Sequence, residues 1–197
     1  MGGILGDNEL GGEMSGEFAK EVTKIAGEHE PDRGEKIDAL VECARQAGYT
    51  IEDIDKTKPW GGFIRFGFGD ADAFIAEFFP DVDPIDARLG NAAAELSPKF
   101  LLVAPEQRLS WQVHERRAER WVFLNDGGYY RSLDSENPGE LVEAHAGSEV
   151  QFAAGECHRL VGGKNGFTLV AEIWQHTDPE HPSDEADITR LQDDYQR

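Results

Sequence analysis

The chain has 197 residues, of which 39% are apolar and 10% aromatic, enough for one domain with a real core and too apolar for global disorder. It carries 39 acidic against 19 basic side chains, a formal charge of −20, which argues against a free nucleic-acid binder and against binding to anionic membrane surfaces. Two cysteines, Cys43 and Cys157, make no disulfide framework, so a reducing, cytoplasmic setting is expected.

In chain order, Met1 to Gly12 is Gly-rich and acidic, without the basic and apolar regions of a secretory signal. No apolar run approaches membrane-spanning length. From about Met14 to Ala47 the pattern is helical: Phe18, Val22, Ile25 and Ala26 recur at helical spacing, as do Ile37, Leu40, Val41 and Ala44. Pro31 and Gly34 separate the two segments, and Gly48 is placed to cap the second. The result is a helical hairpin, read as a packing appendage or dimerisation arm. Ala71 to Phe79 forms a further short helix ended by Pro80, and Pro84, Gly90 and the alanines beyond make a connector. Strands are expected at Lys99–Ala104, Leu109–His114, Arg120–Leu124, Val150–Ala153 and Gly166–Trp174, with turns at Asn125–Gly128, Asn137–Gly139 and Gly162–Gly166. Many short strands at close intervals point to a sandwich or barrel. Residues 1–57 read as an N-terminal helical extension and 58–197 as a β-barrel domain with a C-terminal tail.

The acidity is spread along the chain, and only seven of the 19 basic residues are Lys. Such a surface stays hydrated in high salt, so stability is expected to rise as salt screens self-repulsion.

The chemistry concentrates in two short stretches. In Ser110-Trp111-Gln112-Val113-His114, Gln112 and His114 point to one face of a strand. Glu119 follows five residues later, an odd spacing, so a hairpin or bulge between Glu115 and Ala118 is needed to turn it inward. Gly155-Glu156-Cys157-His158 reads as a tight turn with a second His at the start of a strand.

These residues resemble the two motifs of the cupin superfamily, with Gln112 and His114 in the two His places, Glu119 in the Glu place, and Gly155 to His158 in the second motif. Ala153 and Glu106 stand where that pattern usually has Pro and Gly. The resemblance implies a cupin fold: a mainly β, double-stranded β-helix or jelly-roll barrel. A narrower resemblance rests on Lys58-Pro59-Trp60-Gly61, on Pro105 with Arg108-Leu109-Ser110, and on Gln112, His114 and Ala118-Glu119. The tail adds Asp187-Ile188-Thr189-Arg190, Asp193-Asp194-Tyr195 and Arg197. Together they look like the isomerase domain of type II mannose-6-phosphate isomerases, over roughly residues 58–197. That resemblance implies a metal on Gln112, His114, Glu119 and His158. The ion is zinc by first expectation, with manganese, iron, cobalt or nickel as alternatives. Here Glu115, Arg116 and Arg120 replace histidines or apolar residues of the family's run. Neither the length nor the Gly-rich loop of a guanylyltransferase half is present.

A metal so held polarises a substrate carbonyl, which is what aldose–ketose isomerisation needs. Lys99, on the strand entering the first motif, and Glu172, on the last long strand, are the candidate bases. Burial would raise Glu172 into a useful range. Arg108, Arg116 and Arg190 are candidate phosphate cations. Arg190 is favoured for a catalytic role because the resemblance places it in the family signature. Arg117, Arg120 and Arg159 are read as partners of surface acids. Trp60 and Trp111 are read as packing, His145, His176 and His181 as bystanders, and Cys157 as a buried small residue. The tail is either a solvated helix or a docking segment. The leading reading is a sugar or sugar-phosphate isomerase. A non-catalytic sugar-binding cupin comes second and a non-haem iron oxygenase third. A small sugar or sugar phosphate is the expected partner, and a homodimer is a family-level expectation.

Overall fold

The computed structural model describes residues 16–28 and 32–196. The expectations for Met1 to Gly12, Met14, Pro31 and Arg197 lie outside the described residues. The helices are α1 (Glu17–Gly27), α2 (Arg33–Gln46), α3 (Ala71–Phe78) and α4 (Pro84–Ala87). The strands are β1 (Ile51–Asp55), β2 (Gly61–Phe66), β3 (Leu96–Val103), β4 (Trp111–Val113), β5 (Arg117–Phe123), β6 (Gly127–Ser132), β7 (Val142–Ala144), β8 (Glu149–Phe152), β9 (Cys157–Gly162), β10 (Thr168–His176) and β11 (Thr189–Gln192).

They form two antiparallel sheets, one ordered β1-β2-β3-β10-β5-β8 and the other β11-β4-β9-β6-β7. From β3 to β10 the chain passes back and forth between the sheets. The inner eight strands are thereby ordered β3-β10-β5-β8 and β4-β9-β6-β7. That strand order is the jelly roll, or double-stranded β-helix, of the cupin type. Among the described residues, no helix is long and apolar enough to cross a membrane.

Alternation along the strands sorts the apolar residues into two cores. Phe100 and Leu102 of β3 and Leu169, Ala171 and Ile173 of β10 face outward, where Phe18, Val22, Ile37, Leu40, Phe74 and Phe78 of the helices cover them. Leu101 and Val103, Trp121 and Phe123, and Val170 face inward, towards Tyr129, Phe152 and Leu160. The central strands β3 and β10 are buried along their whole length because both faces are covered. The helical hairpin is therefore a packing layer on the larger sheet, and β1, inside the stretch read as an extension, is that sheet's edge strand.

Local chemistry explains the helix ends. The Asp32 side chain caps α2 by accepting from the Glu35 N–H at 3.0 Å. Gly48 follows α2 with φ 91°, the left-handed conformation expected of a capping glycine. The buried Lys36 ammonium donates to the Ile25 and Glu28 carbonyls, closing the end of α1.

Several expectations need correction. Gly34 lies within the first turn of α2, not in the separator. The connector contains α4, with Asp83 accepting from the Ile85 N–H and Pro84 in its first turn. Gly127, Gly128 and Gly162, read as turn residues, lie in β6 and β9. They are glycines because a Cβ there would lie 2.6 Å from Thr168 Cγ2, 2.8 Å from the Val142 oxygen and 2.3 Å from the Ala104 oxygen. Strands β1, β2, β6, β7 and β11 add to those named from the sequence. The tail is a strand, β11, paired with β4, and not a helix.

Candidate metal centre and barrel mouth

The turn between His114 and Glu119 is neither a hairpin nor a bulge. Strand β4 belongs to the smaller sheet and β5 to the larger one, so residues 114–116 form a corner that crosses the barrel. The buried Asp187 side chain pins this corner, accepting from the Glu115 N–H at 3.0 Å and the Arg116 N–H at 3.1 Å. Glu119 therefore faces His114 from the opposite sheet, and the odd spacing causes no mismatch. Gln112 pairs in register with His158 across β4 and β9, which brings the second motif beside the first.

His114, Glu119 and His158 converge, with one ligand atom from each lying within 4.8 Å of the others, and all three are buried. His114 Nε2 is 3.2 Å from Glu119 Oε1, and His158 Nε2 is 3.1 Å from Glu119 Oε2. Both rings are held by their other nitrogen. His114 Nδ1 donates to the Asp187 carbonyl at 2.5 Å and His158 Nδ1 to the Glu156 carbonyl at 3.1 Å. These bonds leave a lone pair on each Nε2 directed at the centre, the tautomer a metal ligand needs. The His158 ring is further fixed by stacking on Phe152, with centroids 4.6 Å apart.

The site fits a divalent ion on its own chemistry. Glu119 Oε2 and His158 Nε2 are fully buried yet not aligned to bond one another, and an ion between them would satisfy both. Burial alone would raise Glu119, but the pull of His114, Arg117 and His158 takes it well below the usual carboxylate range. Burial, then the charge of Arg117 and the neighbouring His158, lowers His114 to about 4, so it is neutral and able to bind metal at pH 7. Gln112 borders the centre with its amide nitrogen, 3.4 Å from His114 Nε2, while its oxygen accepts from Ser110 Oγ at 2.8 Å. The end of Gln112 that binds cations is thus turned away from the centre.

Arg117 was read as the partner of a surface acid, and the structure corrects this. It is 4% exposed. Its Nε donates to Glu119 Oε1 at 2.8 Å, and its Nη1 donates to Ser183 Oγ and to the Asp184 and Asp187 carbonyls. Its guanidinium lies 3.7 Å from the centre of the Trp174 ring. Nη2 is 3.2 Å from His114 Nε2, a contact that an ion on that nitrogen would displace, as it would that of the Gln112 amide. The i, i+2 relation of Arg117 to Glu119 on one strand was the available signal, since it puts both on the same face.

Above the centre lies a cavity of about 90 Å³, whose lining includes Lys58, Lys99, Arg117 and Arg190, with Glu172 and Glu185. Four basic side chains in one small cavity are notable in a chain of net charge −20. Lys99 and Glu172 are register partners on β3 and β10 and both point inward. Glu172 accepts from Trp121 Nε1 at 2.9 Å. Burial, then the charge of Glu119, pushes Glu172 up to about 8, against the opposing pull of Lys99 and Arg117. The buried Lys99 ammonium sits 3.3 Å from the Trp174 ring centre and 2.7 Å from Glu185 Oε1. Burial lowers it, and Glu172 and Glu185 pull it back up.

The remaining candidates lie elsewhere. Arg108 pairs with Asp194. Arg116 bonds Asp184 and the Pro182 carbonyl. Neither lines the mouth. Arg120 pairs with Glu149, and Arg159 Nη2 donates to the Gln192 carbonyl. Trp111 is buried and donates to the Ser135 carbonyl, and Trp60 lines the mouth. His145 and His181 are exposed beside Asp126 and Asp178. His176 is buried between Ser97 and Ser183. In the tail, Tyr195 donates to Gln107 at 2.8 Å.

No family model matches the sequence. No curated protein matches it either. Among solved structures, an uncharacterised conserved protein with a double-stranded beta-helix domain from Klebsiella pneumoniae is similar at 12% identity and TM-score 0.40, over 50% of this chain and 76% of that one. A Cupin 2 conserved barrel domain protein from Salinispora arenicola is similar at 18% and 0.37, over 44% and 68%. A recombinant oxalate oxidase in complex with glycolate is similar at 18% and 0.38, over 49% of this chain and 46% of the oxidase, so less than half of that protein's length is spanned. The strand order, not these likenesses, defines the fold.

Proposed function

We propose that the chain is a metal-dependent aldose–ketose isomerase acting on a sugar or sugar phosphate. One observation carries this reading. A buried carboxyl pushed up to about 8, Glu172, lines a small cationic cavity together with Glu119, the carboxylate of the His–Glu–His cluster. His114, Glu119 and His158 would hold the ion, which would polarise the substrate carbonyl and offset the negative charge that develops beside it.

Glu172 would take the proton from the carbon next to the carbonyl and return it to the neighbouring carbon. A group titrating near the working pH is suited to both directions. Lys99 and Arg117 supply fixed positive charge to the oxygens that become negative. Trp60 gives an apolar wall for the C–H face of a sugar, while the Trp174 ring holds the Lys99 and Arg117 cations in place. Arg190, on β11 at the mouth, is the rim cation for a phosphate. Metal-loaded protein is expected to interconvert mannose 6-phosphate and fructose 6-phosphate. Chelation and His114→Ala should each abolish the activity. If the loaded protein turns over no aldose or ketose, phosphorylated or free, the isomerase reading fails.

A second reading has its own support. The cluster offers two imidazoles and one carboxylate, and the Gln112 oxygen is turned away, which is the ligand composition of the non-haem iron oxygenases. Iron retained on purification together with substrate-dependent oxygen uptake would favour it over the isomerase.

A further inference from the structure

The mouth is too small for the ligand it is built to hold. Its volume is about 90 Å³, whereas sites for small organic ligands are typically ~300–1,000 Å³. Beside it lies a second cavity of about 440 Å³, lined by Arg65, Phe68, Ser97, Trp174 and His176 together with the segment from Pro182 to Ala186. Trp174 and Glu185 line both cavities. Trp174 is fixed on the central strand β10, so Glu185 is the movable part of the division.

The segment that carries Glu185 is anchored on either side. The Ser183 N–H donates to His176, and Arg117 holds the Ser183 hydroxyl and the Asp184 and Asp187 carbonyls. The Asp187 carboxylate is spent on the corner at Glu115 and Arg116 and on Ser183 Oγ. The Glu185 side chain, by contrast, is 56% exposed, and the one hydrogen bond described for it goes to Lys99 Nζ at 2.7 Å. Lys99 is 4% exposed by the same side-chain measure, backed by Trp174 and Phe63. Glu172 also faces the buried Lys99 ammonium, so a rotation of the half-exposed Glu185 side chain parts the pair without leaving the ammonium bare of a counter-charge.

We propose that Glu185 is a carboxylate gate that holds the anion position on Lys99, and that the phosphate or carboxylate of an elongated ligand displaces it. Displacement joins the mouth to the neighbouring cavity, so that the ligand spans both. This deepens the isomerase reading and rests on it for the choice of sugars, but not for the gate itself. The substrate class is thereby a sugar bearing a terminal anion, in preference to a neutral sugar.

The test is direct binding, by calorimetry on the full metal-loaded chain, of mannose 6-phosphate, mannuronate and mannose. Glu185→Ala and Glu185→Gln are expected to tighten at least one of the two anions by tenfold or more and to change mannose by no more than twofold. Adding Lys99→Met to Glu185→Ala should remove the gain, with circular dichroism confirming the fold. If Lys99→Met does not fold, Lys99→Gln takes its place. Unchanged anion affinity in both Glu185 variants overturns the proposal, as does an equal gain for mannose or a gain that survives loss of the ammonium. Because binding and not turnover is read, a gain without isomerase activity would remove the isomerase reading and leave the gate standing.

Discussion

Asp187 does three jobs with one side chain and one carbonyl: it pins the corner at Glu115 and Arg116, accepts from Ser183 and orients His114. Outer partners of metal ligands of this kind are typically worth ~10–100-fold in metal affinity. Asp187→Ala keeps the carbonyl that orients His114 and removes the carboxylate that pins the corner, so it is expected to weaken metal binding at the lower end of that range, roughly tenfold in a chelator competition, with the far-ultraviolet spectrum retained. Glu172 makes a second prediction, about pH. Its folded value, raised to about 8, exceeds that of an unfolded Glu, so between the two the folded state binds the extra proton and stability falls as pH rises. The lowered His114 and His176 oppose this below the ordinary histidine value near 6.5, and the lowered Lys99, the register partner of Glu172, opposes it on the alkaline side. Between pH 6.5 and 8 the metal-free protein should lose on the order of 1 kcal/mol, and Glu172→Gln should flatten that slope in denaturant melts. His114, Glu119 and His158 could be named from the motif resemblance, and the structure brings them together while the Gln112 oxygen turns away; Glu172 could be named from its place on the last long strand, and its side chain lines the cavity. Asp187 as an anchor and Arg117 as a buried partner were not legible in the sequence, since each acts through groups on other strands or loops that no local pattern displays.

At the scale of elements, the instructive case is the corner between β4 and β5. Parity arithmetic assumed one sheet, and so demanded a hairpin or bulge to bring Glu119 inward. The two strands lie in opposite sheets, and the odd spacing is what a crossing of the barrel produces. Glycine misled in a related way. In the sequence pattern Gly127, Gly128 and Gly162 signal turns, but each lies where another strand or side chain passes too close for a Cβ. The helical hairpin was legible from its periodicity, and its role follows from what it covers. Phe100 stands at the centre of that layer, within 6.0 Å, centroid to centroid, of Phe18, Phe66, Phe74 and Phe78. Phe100→Ala should cost about 3–5 kcal/mol in an unfolding titration. Its side chain faces away from the barrel interior, so the protein that remains folded should keep its metal content.

For the whole molecule, charge and chemistry pull in opposite directions. The chain carries a formal charge of −20, yet it gathers Lys58, Lys99, Arg117 and Arg190 around one cavity. The surrounding negative field should raise the affinity for a divalent cation and oppose an anionic ligand, and salt screens both effects. Self-repulsion of the surface predicts a melting temperature that climbs by several degrees from low to molar salt. A flat profile would show that the acidity does not limit stability. The jelly roll joins these scales, since its alternation between sheets is what sets His114 and His158 opposite Glu119. The central claim is that these three residues hold one divalent ion. Elemental analysis of the purified 197-residue chain and of His158→Ala and Glu119→Gln, each confirmed folded, tests it most directly. One ion per parent chain and essentially none in either variant is the expected result. A parent chain that takes up no metal when supplied with zinc, manganese or iron, or variants that retain a full equivalent, would contradict it.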